Sequence, residues 1–165
     1  MSHMMKISKK LSVKISIVIT LLFITALIFI TSVAWNYMEI FFPNAEIEPH
    51  IAVILFTYAE LIFAYVAAIM LLLLLLNIRK EIVFVSANVG YIRLISWMCF
   101  TEAILFFAEG IVYHNFITEA VGSALFLTVF LIIAFACAFM GIIVRVVKNI
   151  IEQATAIKNE NDYTI

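Results

Sequence analysis

Four unbroken apolar stretches, each long enough to cross a bilayer, constrain this chain more than anything else in it. They run from about Leu11 to Trp35, Ile51 to Leu76, Ile92 to Val112 and Ala120 to Val144. A helix rises about 1.5 Å per residue, so roughly 30 Å of hydrocarbon asks for about 20 apolar residues. The runs are continuous rather than alternating, which selects helices over the strands of a barrel. Composition agrees: of 165 residues 66% are hydrophobic and 13% charged, with mean hydropathy +1.18. That leaves too little polar surface to cover a water-facing domain. A net charge of −1 supplies no basic field, which argues against direct contact with nucleic acid. The expected fold is all-α, an integral membrane four-helix bundle embedded in the lipid bilayer.

The cations set the expected orientation, because cytoplasmic flanks hold the positive charge. Lys6, Lys9, Lys10 and Lys14 precede the first run or open it. Arg79, Lys80 and Arg93 surround the second connection, and Arg145, Lys148 and Lys158 follow the last run. All ten fall on one side of a four-pass thread. Both termini and the middle loop are therefore expected in the cytoplasm of a bacterial plasma membrane. The loop from Asn36 to His50 and the turn from Tyr113 to Glu119, which carry acids and histidines, are expected outside. Three parts follow: a basic N-terminus over residues 1–10, a transmembrane domain over 11–144 and a cytoplasmic segment over 145–165. The start imitates a secretory signal, but the apolar stretch from Ile15 to Ala34 exceeds the usual 7 to 15 residues of a signal core and favours an uncleaved anchor. The connections are short, with Pro43 and Pro49 in the first and Gly90 closing the second, so consecutive helices should be antiparallel neighbours.

Three acids interrupt the spans: Glu60 in the second, Glu102 and Glu109 in the third. Counting from the ends of the apolar runs puts Glu60 about 13 Å below the outer boundary and Glu102 about 15 Å above the inner one. Both are then near the midplane and able to face each other, with Glu109 on the same stripe nearer the outside. An acid at mid-span is opposed by roughly 2.5 to 3.5 kcal/mol, which about six leucines such as Leu71 to Leu76 offset. No basic residue lies at that depth, so at least one of the facing acids is expected to carry a proton unless a cation sits between them. One reading is a proton or cation site at Glu60, Glu102 and Glu109, lined by Thr57, Tyr58, Thr101 and Tyr65. The other is that protonated carboxyls hydrogen-bond across helices and hold the bundle together.

Other marked residues point to structure. Cys99 and Cys137 lie inside spans, where a thiol packs as a small hydrophobe. No Cys/His cluster, HExxH, P-loop or nucleophile elbow is present, so a non-enzymatic protein with no metal and no cofactor is expected. Trp35, Tyr37 and Trp97 suit interfacial anchors, and His50 and His114 are lone outer histidines. Ala134, Cys137, Ala138 and Gly141 give small-residue stripes suited to close helix approach, within the bundle or in a homodimer. Beyond the fourth span, Val146, Val147, Ile150, Ala154 and Ile157 recur at helical spacing in a polar stretch, which predicts an amphipathic cytoplasmic extension for headgroups or a partner.

The chain closes with Glu160, Asn161, Asp162, Tyr163, Thr164 and Ile165. That ending resembles the Glu-Asn-Asp-Leu-Thr-Ile/Val terminus of a family of small four-span bacterial membrane proteins, the domain of unknown function 2975. The segment from Phe84 to Ile95, with Ser86, Asn88 and Arg93, is similar to the same family's middle loop, although without its proline. The resemblance implies no established enzyme activity, and genes beside a small helix-turn-helix transcription regulator. Both motifs fall on the expected cytoplasmic face, so Ser86, Asn88, Arg93, Glu160, Asn161, Asp162 and Thr164 are candidate docking residues for such a regulator. Asn88 is alternatively a cap for the third helix. The leading expectation is a membrane protein that relays a signal to that regulator, or sequesters it. The competing one is a small proton- or cation-coupled transporter or peptide-immunity protein using the three glutamates.

Overall fold

Each apolar run is helical throughout, and each helix extends past the run that nucleates it. The computed structural model describes the backbone of residues 9–41, 47–116 and 120–162, with side chains over 10–33, 51–52, 54–115 and 124–160. The elements are α1 (Lys9–Phe41), α2 (Ile47–Arg79), α3 (Ser86–Phe116) and α4 (Ala120–Asp162), and no strand occurs among the described residues. All four are long and apolar enough to cross a membrane. Their outward faces carry large apolar side chains, with Phe135 at 74% and Leu125 at 70% exposure, a surface matched to lipid rather than water. Hydroxyls are satisfied inside their own helices: Thr20, Thr25, Thr128 and Thr155 each donate to the carbonyl four residues back, the internal partner that hydrocarbon demands.

The described connection between α2 and α3 is a tight cap. Glu81 adopts a left-handed conformation at φ 63°. Its N–H reaches the Ile78 carbonyl at 3.0 Å, and the Ile82 N–H reaches the Asn77 carbonyl at 3.0 Å, the paired bonds that end a helix when the residue after the cap turns left-handed. Asn88, 1% exposed, closes the turn from the other side. Its amide donates to the Ile82 and Val83 carbonyls at 2.7 and 2.8 Å, and its oxygen accepts from Asn77 Nδ2 at 2.8 Å. This corrects two expectations. Asn88 does not cap α3; it lies inside α3 and ties the loop to the end of α2. Gly90 does not close the connection either. It is helical, and the polar residues before Ile92 extend α3 because Asn88 satisfies the loop carbonyls that would otherwise need water.

The α2/α3 contact is antiparallel with a constant register: Asn77 meets Asn88, Ala64 meets Glu102 and Thr57 meets Glu109. The α3/α4 contact is the most extensive and depends on two glycines. A Cβ on Gly110 of α3 would fall 2.8 Å from Phe130 Cβ, and one on Gly141 of α4 would fall 3.3 Å from Cys99 Cβ. Tyr113 stacks on Phe126 and Phe130 at 5.7 and 5.3 Å between centroids. Near the opposite end of the contact, Ser96 Oγ donates to the Gly141 carbonyl at 2.9 Å. The small residues Ala134 and Gly141 are thus spent on packing within the chain. Among the described residues each helix packs on its neighbours in sequence alone: α1 on α2, α2 on α3, α3 on α4. The four-helix arrangement is therefore open between α1 and α4.

Candidate functional site

Helix α2 carries Glu60 on the face that meets α3, and the register places it between Glu102 and Glu109, one turn away on either side. Glu60 and Glu109 lie within hydrogen-bonding reach of each other, and Glu109 Oε1 accepts from Thr57 Oγ1 at 3.4 Å. Glu102 lies against the Ala64 backbone and acts on Glu60 across a longer gap. The close couple is therefore Glu60 with Glu109, not the expected Glu60 with Glu102. The register brings Glu60 level with a point between the two acids of α3, and its side chain turns to Glu109.

Glu60 is 9% and Glu109 4% exposed, but they look different ways. Glu109 is near the stacked ring of Tyr113. Glu60 and Glu102 line a cavity of about 780 Å³ on the open side of the fold, walled by residues of all four helices, among them Phe23, Leu27, Leu61, Phe106, Ile133 and Met140. One oxygen of each, Oε1, is buried without a hydrogen-bond partner among the described residues. Among the described residues no three His, Cys, Asp or Glu side chains converge as a metal set. The carboxyls form a string along the contact instead.

Of the other expected lining residues, Thr57 donates to an acid, Glu109. Thr101 donates to the Trp97 carbonyl, and Tyr65 meets Thr31 of α1 at 3.2 Å. Tyr113 was not anticipated at the site, since its place depends on how α3 packs against α4. The inner end has its own cluster. Arg145 lies 5.0 Å from the Trp97 ring centroid and 5.5 Å from that of Phe100, a cation over aromatic faces where span meets interface. Arg93 lies 3.6 Å from Glu152, which also pairs with Lys148.

The candidate docking residues divide. Ser86 and Arg93 are exposed, as is Glu160. Asn88 is buried with its amide engaged, so its part is to shape the loop and not to meet a partner. Asn161 and Asp162 end α4, although their side chains, like all of Thr164, lie outside the described residues, as do the side chains of Trp35, Tyr37 and His50. The segment beyond Val144 is continuous helix with the rest of α4, and Val146, Val147, Ile150 and Ile157 are exposed along one side of it. Ile151 and Thr155, on the other side, are less exposed.

A family model described as a protein of unknown function (DUF2975) matches residues 33–165. The chain belongs to the DUF2975 family. No curated protein and no solved structure matches it. The DUF2975 match contains Glu60, Glu102 and Glu109, the Asn88 loop and the whole of α4, while Phe23, Leu27 and Thr31 of α1 precede it.

Proposed function

We propose that this chain is a non-enzymatic, multi-pass protein of a bacterial plasma membrane that receives a signal within the bilayer and relays it to a cytoplasmic partner. The partner that the family resemblance implies is a small helix-turn-helix regulator, either signalled to or sequesterered at the membrane. One observation carries the reading. Helix α4 is uninterrupted from Ala120 to Asp162, about 64 Å at the helical rise, or roughly twice the hydrocarbon thickness. One part of it, through Ile132, Ile133, Ala136 and Met140, walls the acid-bearing cavity. The part beyond Val144 carries the exposed stripe of Val146, Ile150 and Ile157 and leads to the family terminus. A rigid rod joining a buried site to a surface can carry a change at one to the other. Both termini are read as cytoplasmic, from the distribution of cations. Removal of Asn159 to Ile165 is expected to abolish co-purification of a neighbouring regulator; unchanged capture sinks docking at that end.

A second reading is favoured by the acids themselves, which are strung along one helix contact with no lysine or arginine at their level. It is proton- or cation-coupled transport, or peptide immunity, through Glu60, Glu102 and Glu109. On that reading Glu60→Gln with Glu102→Gln abolishes ion-dependent uptake in reconstituted vesicles, and uptake that persists rules it out.

A further inference from the structure

We propose that the cleft between α1 and α4 binds a lipophilic organic cation, an apolar body bearing a positively charged head, with Glu60 and Glu102 as its counter-charges. This rests on the reading that the signal arises within the bilayer, and it names the chemical class of that signal.

The cavity of about 780 Å³ falls within the roughly 300–1,000 Å³ typical of small-molecule sites, which are mostly apolar with a few placed polar groups. Its walls are aliphatic, aromatic and sulfur-bearing, and the acids are its charged residues. Glu60 is 9% exposed, and its Oε1, like that of Glu102, is buried without a partner while its residue lines this space. A buried oxygen left unpaired is costly, and a donor or cation that reaches it recovers that cost. Because α1 rests on α2 alone among the described residues, the opening lies between helices, so a ligand dissolved in lipid has a lateral way in.

The other occupants fit less well. A lipid acyl chain fills the apolar walls but leaves both oxygens as they were. An anion is repelled. A metal ion needs more converging ligands than two, and no set of three is present among the described residues. A second copy of this chain brings no cation to this depth, since its lysines and arginines flank the spans.

The test uses the full chain in phosphatidylcholine nanodiscs, with labelled tetraphenylphosphonium as the cationic probe and tetraphenylborate as a probe of like shape and opposite charge. Saturable binding of about one phosphonium per chain is expected, with no saturable binding of the borate. Glu60→Gln with Glu102→Gln should weaken phosphonium binding at least tenfold, because an ion pair of this kind is lost. Ala136→Phe, at an exposed cleft position on α4 that leaves both acids untouched, should weaken it as much by filling the space, and it decides the matter if the glutamine pair fails to fold. Absent saturation, equal binding of the two probes, or undiminished binding by a folded variant overturns the proposal. Regulator capture is scored separately without probe: capture without cation binding removes the ligand and keeps the relay, and cation binding without capture does the reverse.

Discussion

Glu81 sits at φ 63°, where a side chain other than glycine's is strained by about 1 kcal/mol or more. Glu81→Gly is expected to raise stability by about 1 kcal/mol, read as a higher thermal midpoint in detergent; a lower midpoint removes the strain argument. Asn88 is the opposite case, because its amide serves two carbonyls and Asn77 at once. Asn88→Ala leaves those carbonyls unanswered and should cost about 2 to 3 kcal/mol, whereas Ser86→Ala at the exposed start of α3 should be neutral within about 0.5 kcal/mol. Equal effects from the two would place Asn88 at the surface instead. Neither role was legible in the sequence. A glutamate after a helix carries no mark of left-handed backbone, and an asparagine near a helix start suggests a cap until the chain is seen to fold back under it.

Helices fared better, since each span was evident from uninterrupted apolar length, and only the ends were misjudged. Hydropathy finds the part of a helix that lies in lipid; it is blind to polar turns such as 77–79 and 86–91, which are helical through local hydrogen bonds. Those ends do not decide which acid Glu60 meets, because its level on α3 falls between Glu102 and Glu109 and the direction of the side chain settles it. Beyond the span of α4, Glu152 receives Lys148 one turn earlier and Arg93 across from α3. The Lys148 ammonium beside it holds the Glu152 carboxyl below its usual value. A carboxyl lowered in the folded state contributes stability above its unfolded pKa and loses it as the pH falls through the folded one. The difference in thermal midpoint between wild type and Glu152→Gln should therefore be small at neutral pH, vanish in acid below the ordinary glutamate range, and shrink with salt. A difference that grows on acidification contradicts this tie between α3 and α4.

For the whole molecule, the proposed topology puts both ends of a four-pass chain in one compartment, and the placement of its ten cations is the reason for proposing the cytoplasm. Reporter fusions after Lys80 and at Ile165 should both report cytoplasm, and one inserted after Asn44 should report the exterior; opposite signals from Lys80 and Ile165 break the thread. The gap between α1 and α4 lay beyond sequence reasoning, because short connections say which helices follow one another but not whether the first and last meet. With α1 and α4 each fastened along a single seam among the described residues, the acid-lined cavity has two flanking walls that no helix contact ties to each other.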